Sequence, residues 1–233
     1  MPRKQGMAGR KLVGYIVLVV LTIVSCKAPP PPPQPPPTPK VQELITTGNS
    51  HYSAGKYNEA VTAYTAIINI LKNSEDPNLT TALYNRGLAR LAKRTYQQAI
   101  EDFTATIEMN PNDAHAYIHR GHALAKEKKL DAAIADFTAA LTINPNNVEA
   151  YYSLGMIHFQ KSDYDRTAEV LSRAIAHNPR FARAYNGRGQ AYLKAGKVQA
   201  AAFDFQKACD MGEQCGCIML ELIENKKNAT PIK

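Results

Sequence analysis

Residues 114–145 read AHAYIHRGHALAKEKKLDAAIADFTAALTINP. The large residues of this stretch fall at helical spacing, and it closes on Asn144-Pro145, a combination that starts and stops helices rather than strands. From Thr80 onward the pattern returns with a period of 34. Gly87, Gly121, Gly155 and Gly189 form one series; Leu83, Tyr117, Tyr151 and Tyr185 a second; Phe103, Phe137, Leu171 and Phe205 a third. Ala99, Ala133, Thr167 and Ala201 supply a small-residue series, followed by Thr106, Ala140, Ala174 and Ala208. Pro77, Pro111, Pro145 and Pro179 punctuate the units at the same interval. A chain built this way is a repeat array.

An earlier unit starts near Val41, with Gly48, Tyr57, Ala60 and Tyr64 in matching places. The step from Gly48 to Gly87 is 39, while that from Pro77 to Pro111 is still 34. Five extra residues therefore fall after Tyr64, and the expectation is a longer second helix in unit one, ending around Asn73–Asp76. The repeats also align the chain with itself. Arg86 stands to Asp102 as Arg120 does to Asp136 and Arg188 to Asp204, whereas unit four holds Leu154 and Val170 in those two places. Charge disappears from both positions together, so each Arg is expected to meet the Asp of its own unit. Replacing both partners of such a pair by apolar groups is tolerable where losing one is costly.

The aromatic, Gly, Ala, aromatic and Pro series resemble the tetratricopeptide repeat over roughly residues 41–215. The resemblance implies an all-α, right-handed α-solenoid of five helix pairs, at 41–79, 80–113, 114–147, 148–181 and 182–215, with a capping helix and tail at 216–233. Cys217–Lys226 is amphipathic and suited to cover the last exposed face, as solenoids require. The resemblance further implies a concave face of first helices that grips an extended peptide or partner helix. Its register places Asn49, Tyr52, Tyr84 and Leu88 there, then His115, Ile118 and His122. Units four and five add Tyr152, Met156 and Phe159, then Arg183, Asn186 and Gln190. Some relatives clamp acidic C-termini through Lys–Asn–Asn–Lys–Arg. Here Asn49 and Asn85 match the Asn positions, but Ile45, His115 and His119 replace the basic ones, and a carboxylate there would lose its main partner.

The front of the chain reads differently. Arg3, Lys4, Arg10 and Lys11 precede Leu12–Val24, a run without charge. That run is short for a membrane span and right for a signal-peptide core. Ile23-Val24-Ser25-Cys26 resembles the lipobox of bacterial lipoproteins. By that resemblance residues 1–25 are removed and Cys26 carries a covalent lipid, with several acyl chains giving stable anchoring. The resemblance implies a periplasm-facing envelope lipoprotein, and Lys27 in place of Asp points to the outer membrane. Pro29–Pro39 holds nine of the 15 prolines. Within the 26–40 linker, a polyproline II rod of about 34 Å would hold the repeats off the membrane.

Of the whole chain's charge of +8, the stretch 1–25 accounts for four basic groups and no acidic ones. The +4 that remains gives no ground for nucleic acid as a partner. His115, His119 and His122 share one helix face at i, i+4 and i+7, a spacing that could surround a metal or haem. No Cys, Asp or Glu completes a ligand set, so neither metal nor other cofactor is expected beyond the lipid. Cys209, Cys215 and Cys217 leave an odd thiol in an oxidising compartment. Lys207–Gly212 and Gly216-Cys217 resemble the cysteine-rich Sel-type repeats, which implies a Cys209–Cys217 bridge; Cys209–Cys215 and a zinc site are the alternatives. No phosphate loop, nucleophile elbow, paired-carboxylate cleft or HExxH motif is present, so no enzymatic chemistry is expected. The expected role is a scaffold for envelope proteins; related architectures serve pilus secretin assembly or peptidoglycan hydrolases. Self-association through the solenoid's open ends is the structural rival.

Overall fold

The computed structural model describes residues 39–229, which form eleven α-helices and no strand. Cys26, the apolar run before it and most of the proline tract lie outside the described residues. Helices α1 (Pro39–Ser53) and α2 (Tyr57–Leu71) make unit one, α3 (Asn78–Ala92) and α4 (Tyr96–Met109) unit two. Unit three is α5 (Ala114–Lys126) with α6 (Leu130–Ile143), and unit four is α7 (Val148–Gln160) with α8 (Tyr164–His177). Unit five is α9 (Ala182–Lys194) with α10 (Val198–Asp210), and α11 (Gln214–Ala229) packs on α10 as the cap. None of these helices is long and apolar enough to cross a membrane.

Local chemistry accounts for the boundaries. Each unit's second helix from unit two to unit four ends on Asn, whose N–H reaches back to the fourth residue before it. The Asn110, Asn144 and Asn178 side chains then accept the N–H two residues on, at 3.3, 3.2 and 3.0 Å. The proline between has no N–H to place. Asp113 opens α5 by accepting from the His115 and Ala116 amides, and Asn147 opens α7 by accepting from Ala150, which satisfies donors the helix cannot. Between the two helices of each unit the chain turns through one left-handed residue: Gly55, Arg94, Lys128, Ser162 and Gly196, the geometry that closes a helix C-terminus.

The five inserted residues do not go where the sequence pattern suggests. Helix α2 stops at Leu71 rather than at Asn73–Asp76, one residue longer than α4, α6 or α8. The rest lengthen the connection and the front of α3. Ser74 Oγ donates to the Leu71 carbonyl, and Asp76 accepts the Asn78 amide at 2.8 Å. Asp76-Pro77 thus starts a new helix instead of continuing the old one. The cap also begins earlier than expected, at Gln214.

The repeated glycines make room for a ring or an aliphatic side chain rather than for backbone. A β-carbon on Gly48, Gly87, Gly121 or Gly189 would sit 2.7–3.0 Å from the ring of Tyr64, Phe103, Phe137 or Phe205 respectively, and on Gly155 equally close to Leu171. Phe103, Phe137, Phe205 and Leu171 are fully buried as a result. Close backbone approach occurs at Gly216, where an added β-carbon would lie 3.0 Å from the Phe205 carbonyl oxygen and 3.1 Å from the Cys209 nitrogen.

The expected ion pairs are present, and each extends further than the pattern shows. Arg86, Arg120 and Arg188 each bind the Asp of their own unit through two nitrogens, Nε and Nη2. Nη1 of the same three residues donates to a hydroxyl on the preceding unit's second helix: Thr65 at 3.2 Å, Thr104 at 3.1 Å and Ser172 at 2.8 Å. One guanidinium thus ties two units together through both edges of its fork. In unit four, Leu154 and Val170 join the apolar cluster around Phe137. Thr138, the hydroxyl left over at that joint, donates to the Ile134 carbonyl of its own helix.

Candidate partner-binding groove

Helices α3, α5, α7 and α9 lie side by side and make one continuous face, with the second helices behind them. Along α7 this face opens into a groove of about 1010 Å³. Its floor is Tyr152, Met156, Ile157 and Phe159, with His122 and Phe137 on the unit-three side. Behind the groove, a β-carbon on Gly187 of α9 would stand 3.0 Å from the buried Leu171 Cδ1 and 3.4 Å from Met156 Sδ. The ring faces are partly occupied. Arg183 lies 4.4 Å above the Tyr152 ring, Phe181 meets Tyr152 edge-on, and Tyr164 meets Phe159 the same way.

Five of the register-derived positions, His122, Tyr152, Met156, Phe159 and Arg183, converge on this groove. Gln190 lines a smaller cleft beyond Phe159, together with Leu193 and Met219. Tyr84 lines a separate cleft beside Pro77 and Asp113, and burial, with Asp113 adding to it, pushes its phenol up to about 12. Asn49 is exposed but accepts the Tyr64 hydroxyl at 2.8 Å, and Tyr52 packs on Tyr57 of its own unit. Leu88 packs against the Phe103 cluster. Asn186 is half-buried, and its Oδ1 has no hydrogen-bond partner among the described residues. Ile118 corrects the register: it is only 6% exposed and belongs to the core with Leu154 and Ala150. Shorter than the tyrosines at its place in units two and four, and with no polar tip, it ends in the core rather than in the groove.

The three histidines of α5 share a face without converging. His119 stacks on Phe103 of α4, His122 meets Phe137 of α6 edge-on, and His115 is exposed. Burial pulls the His119 imidazole down to about 4, with the neighbouring His122 and His115 adding to it and Asp113 opposing. Burial, helped by Lys126, also lowers His122. Among the described residues no three His, Cys, Asp or Glu side chains are placed to hold a metal. At the far end, Cys209 and Cys217 are disulfide-bonded with Cα atoms 4.7 Å apart, and Cys215 is a free, exposed thiol.

Models of the tetratricopeptide repeat match residues 84–148, 126–175 and 152–214, together more than half of the chain. The protein belongs to the tetratricopeptide-repeat family. Among solved tetratricopeptide structures, one crystal structure of MamA superposes with a TM-score of 0.66 at 24% identity, covering 83% of this chain and 98% of that one. A second MamA structure gives 0.65 at 27% identity over 72% and 95%. YrrB, described as a TPR protein with an unusual peptide-binding site, gives 0.62 at 21% identity over 78% and 90%. Mitochondrial import receptor subunit TOM70 of Rattus norvegicus is 29% identical over 72 residues, 31% of this chain. The chain spans only 12% of the length of that relative.

Within the tetratricopeptide frame, the groove contains residues that the register does not single out. Lys126, Lys128 and Lys194 stand on its rim, with Gln160, Ser162 and Tyr164 nearby. They lie in or next to the turns that end the first helices, where the large-residue periodicity stops. The signal available was compositional: the basic run around Lys126–Lys129.

Proposed function

We propose that the protein is a non-catalytic adaptor that holds a segment of a partner protein in the groove along α7. The observation that carries this reading is the convergence of Tyr152, Met156, Phe159 and Arg183, from two units, on one open groove. Aromatics, Met and Arg are the side chains that dominate binding energy at interfaces. The tetratricopeptide fold is a protein-interaction scaffold, and the peptide-binding site described for YrrB supports the same use here. In this reading Cys26 carries the lipid that holds the adaptor on an envelope membrane, facing the periplasm, and the proline tract sets its reach. Envelope proteins are then the partners. The test is a pull-down from native envelopes with the full chain, beside a Tyr152→Ala, Phe159→Ala variant of unchanged helicity. Partners that depend on both side chains support the adaptor; identical partners with both baits move binding off the groove. Intact mass of the membrane-extracted protein tests the anchor: a mature chain beginning at Cys26 with added acyl mass is expected.

A second reading, self-association, rests on α11. Ile218 and Leu222 lie one turn apart on the cap and are 55% and 50% exposed. Light scattering that finds a dimer abolished by Ile218→Asp would favour it over a monomeric adaptor.

A further inference from the structure

Two lysines outside the groove have a carboxylate partner. Lys161, the C-cap of α7, pairs with Asp131 of α6, and Lys197, the N-cap of α10, pairs with Asp165 of α8. Among the described residues no carboxylate lies within 4 Å of Arg94, Lys126, Lys128 or Lys194. All four stand at the C-terminal ends of α3, α5 and α9 or just beyond. Arg94 and Lys126 line a smaller cleft that shares His122 and Lys126 with the main groove, so the row of cations is continuous. Lys126 and Lys194 are also suited to complement the dipoles of their helices, but that does not account for Lys128. It occupies a left-handed turn position, φ 60°, where units one and five place glycine.

The groove itself lines up Lys126, Lys128, Arg183 and Lys194 against one carboxylate, Glu149, which stands 3.7 Å from Arg183. These cations do not occupy the carboxylate-clamp positions of the family, which here hold Ile45, His115 and His119. Resting on the adaptor reading above, we infer that the groove takes an acidic segment with an apolar anchor: Asp or Glu side chains against the lysine rim, and a Leu, Ile or Met against Met156 and the ring edges of Tyr152 and Phe159. Charge complementarity of this kind steers association and fixes register. Helix α7, Val148–Gln160, makes a floor about 20 Å long, room for about six residues of extended chain. Single-stranded nucleic acid is also acidic and apolar-faced, but it needs free aromatic faces for stacking. Tyr152 is covered by Arg183, and Phe159 and Tyr164 are engaged with each other.

The test pans a phage library of random ten-residue peptides on the full chain, then measures selected peptides by fluorescence anisotropy. Expected are sequences rich in Asp and Glu around one or two large apolar residues, with Kd rising at least fivefold between 50 and 300 mM NaCl. Lys126→Glu with Lys194→Glu weakens them at least tenfold. The same charge change at Lys72, just past the end of α2, and Lys207 of α10 leaves Kd within twofold. Circular dichroism melts of both variants guard against misfolding. Selected peptides without acidic residues, lost on Tyr152→Ala but indifferent to salt, would overturn the acidic specificity and keep the groove. Peptides indifferent to Tyr152→Ala, or no selected peptide at all, would overturn the groove reading itself. Binding of labelled oligo-dT, abolished by the lysine reversals, would replace the peptide by nucleic acid and overturn the inference.

Discussion

Two neighbouring joints of the solenoid place the same kinds of helix against each other and hold them by different means. Between units two and three, Arg120 binds Asp136 at 2.8 Å and reaches back to Thr104 at 3.1 Å. Between units three and four the equivalent places hold Leu154, Val170 and a Thr138 bonded within its own helix. The contact of α7 on α6 is also the sparsest of the joints between units. Directional bonds fix how two helices sit, whereas an apolar contact rewards burial in several arrangements. The groove crosses the joint without the bonds, from His122 to Met156, and continues over the bonded one to Arg183 and Lys194.

The largest effect should come from breaking one of the polar joints unevenly. In Arg120→Ala the Asp136 carboxylate, only 5% exposed, is left with no cation. Loss of about 3–5 kcal/mol is the usual cost of such a break. Arg120→Leu with Asp136→Val, which copies unit four, should cost at most about 1 kcal/mol, because neither charge is stranded. Chemical denaturation of the two variants separates them. Equal losses would mean that the pair sets stability by packing alone and that the two joints do not differ in kind.

The next effect is acid sensitivity centred on the polar joint. The unfolded imidazole takes a proton near pH 6.5, while folded His119, packed between Tyr84 and Phe103, resists until about 4. Across that window the unfolded state binds more protons, so stability falls as pH drops. The full difference is worth up to about 3 kcal/mol. His119→Phe keeps a ring in place and removes the proton site. Unfolding followed from pH 7 to 4.5 should show a clearly shallower decline in the variant. An unchanged slope would assign the acid response to other groups.

A third kind of joint closes the array. Cys209 and Cys217 tie α10 to α11 covalently, and no Arg–Asp pair takes part. Removing a bridge across so short a loop costs about 2–3 kcal/mol. With Cys209→Ser and Cys217→Ser, hydrogen exchange should rise in α11 while α5–α8 keep their protection. Loss of protection throughout would show that the cap supports the whole array.

These joints also show what the chain discloses in advance. The Arg–Asp pairs were legible because four aligned units act as their own comparison, and a position that loses both charges names its partner; the glycines were legible as a series, but not the ring or Leu sixteen residues on that each makes room for. The hydroxyl partners Thr65, Thr104 and Ser172 were not, since Thr and Ser on a helix carry no pairing signal. Burial depth was equally silent: Tyr84, Ile118 and Tyr152 share one register, yet only Ile118 is in the core. The end of α2 was missed because the Asp76-Pro77 start signal outweighs helix continuation, a contest between local terms that repeat spacing does not report. The cationic rim sits at the last residues of the first helices and on the left-handed turn positions Arg94 and Lys128, where the large-residue period has already stopped.

The smallest effect sharpens the comparison most. Leu154→Arg with Val170→Asp writes the polar joint into unit four, where Thr138 stands ready to accept from the new guanidinium. Its stability should change by no more than about 1 kcal/mol, because burying a charged pair costs nearly what its attraction returns. The change expected is in motion and binding. With that guanidinium bonded to both helices, amides of α7 should exchange more slowly, as local openings that need no global unfolding become rarer. If the groove depends on adjustment at this joint, peptide affinity falls while the melting curve stays in place. Should α7 exchange stay unchanged, the apolar joint is already as fixed as the others, and the missing triad reflects interchangeable solutions to one packing problem.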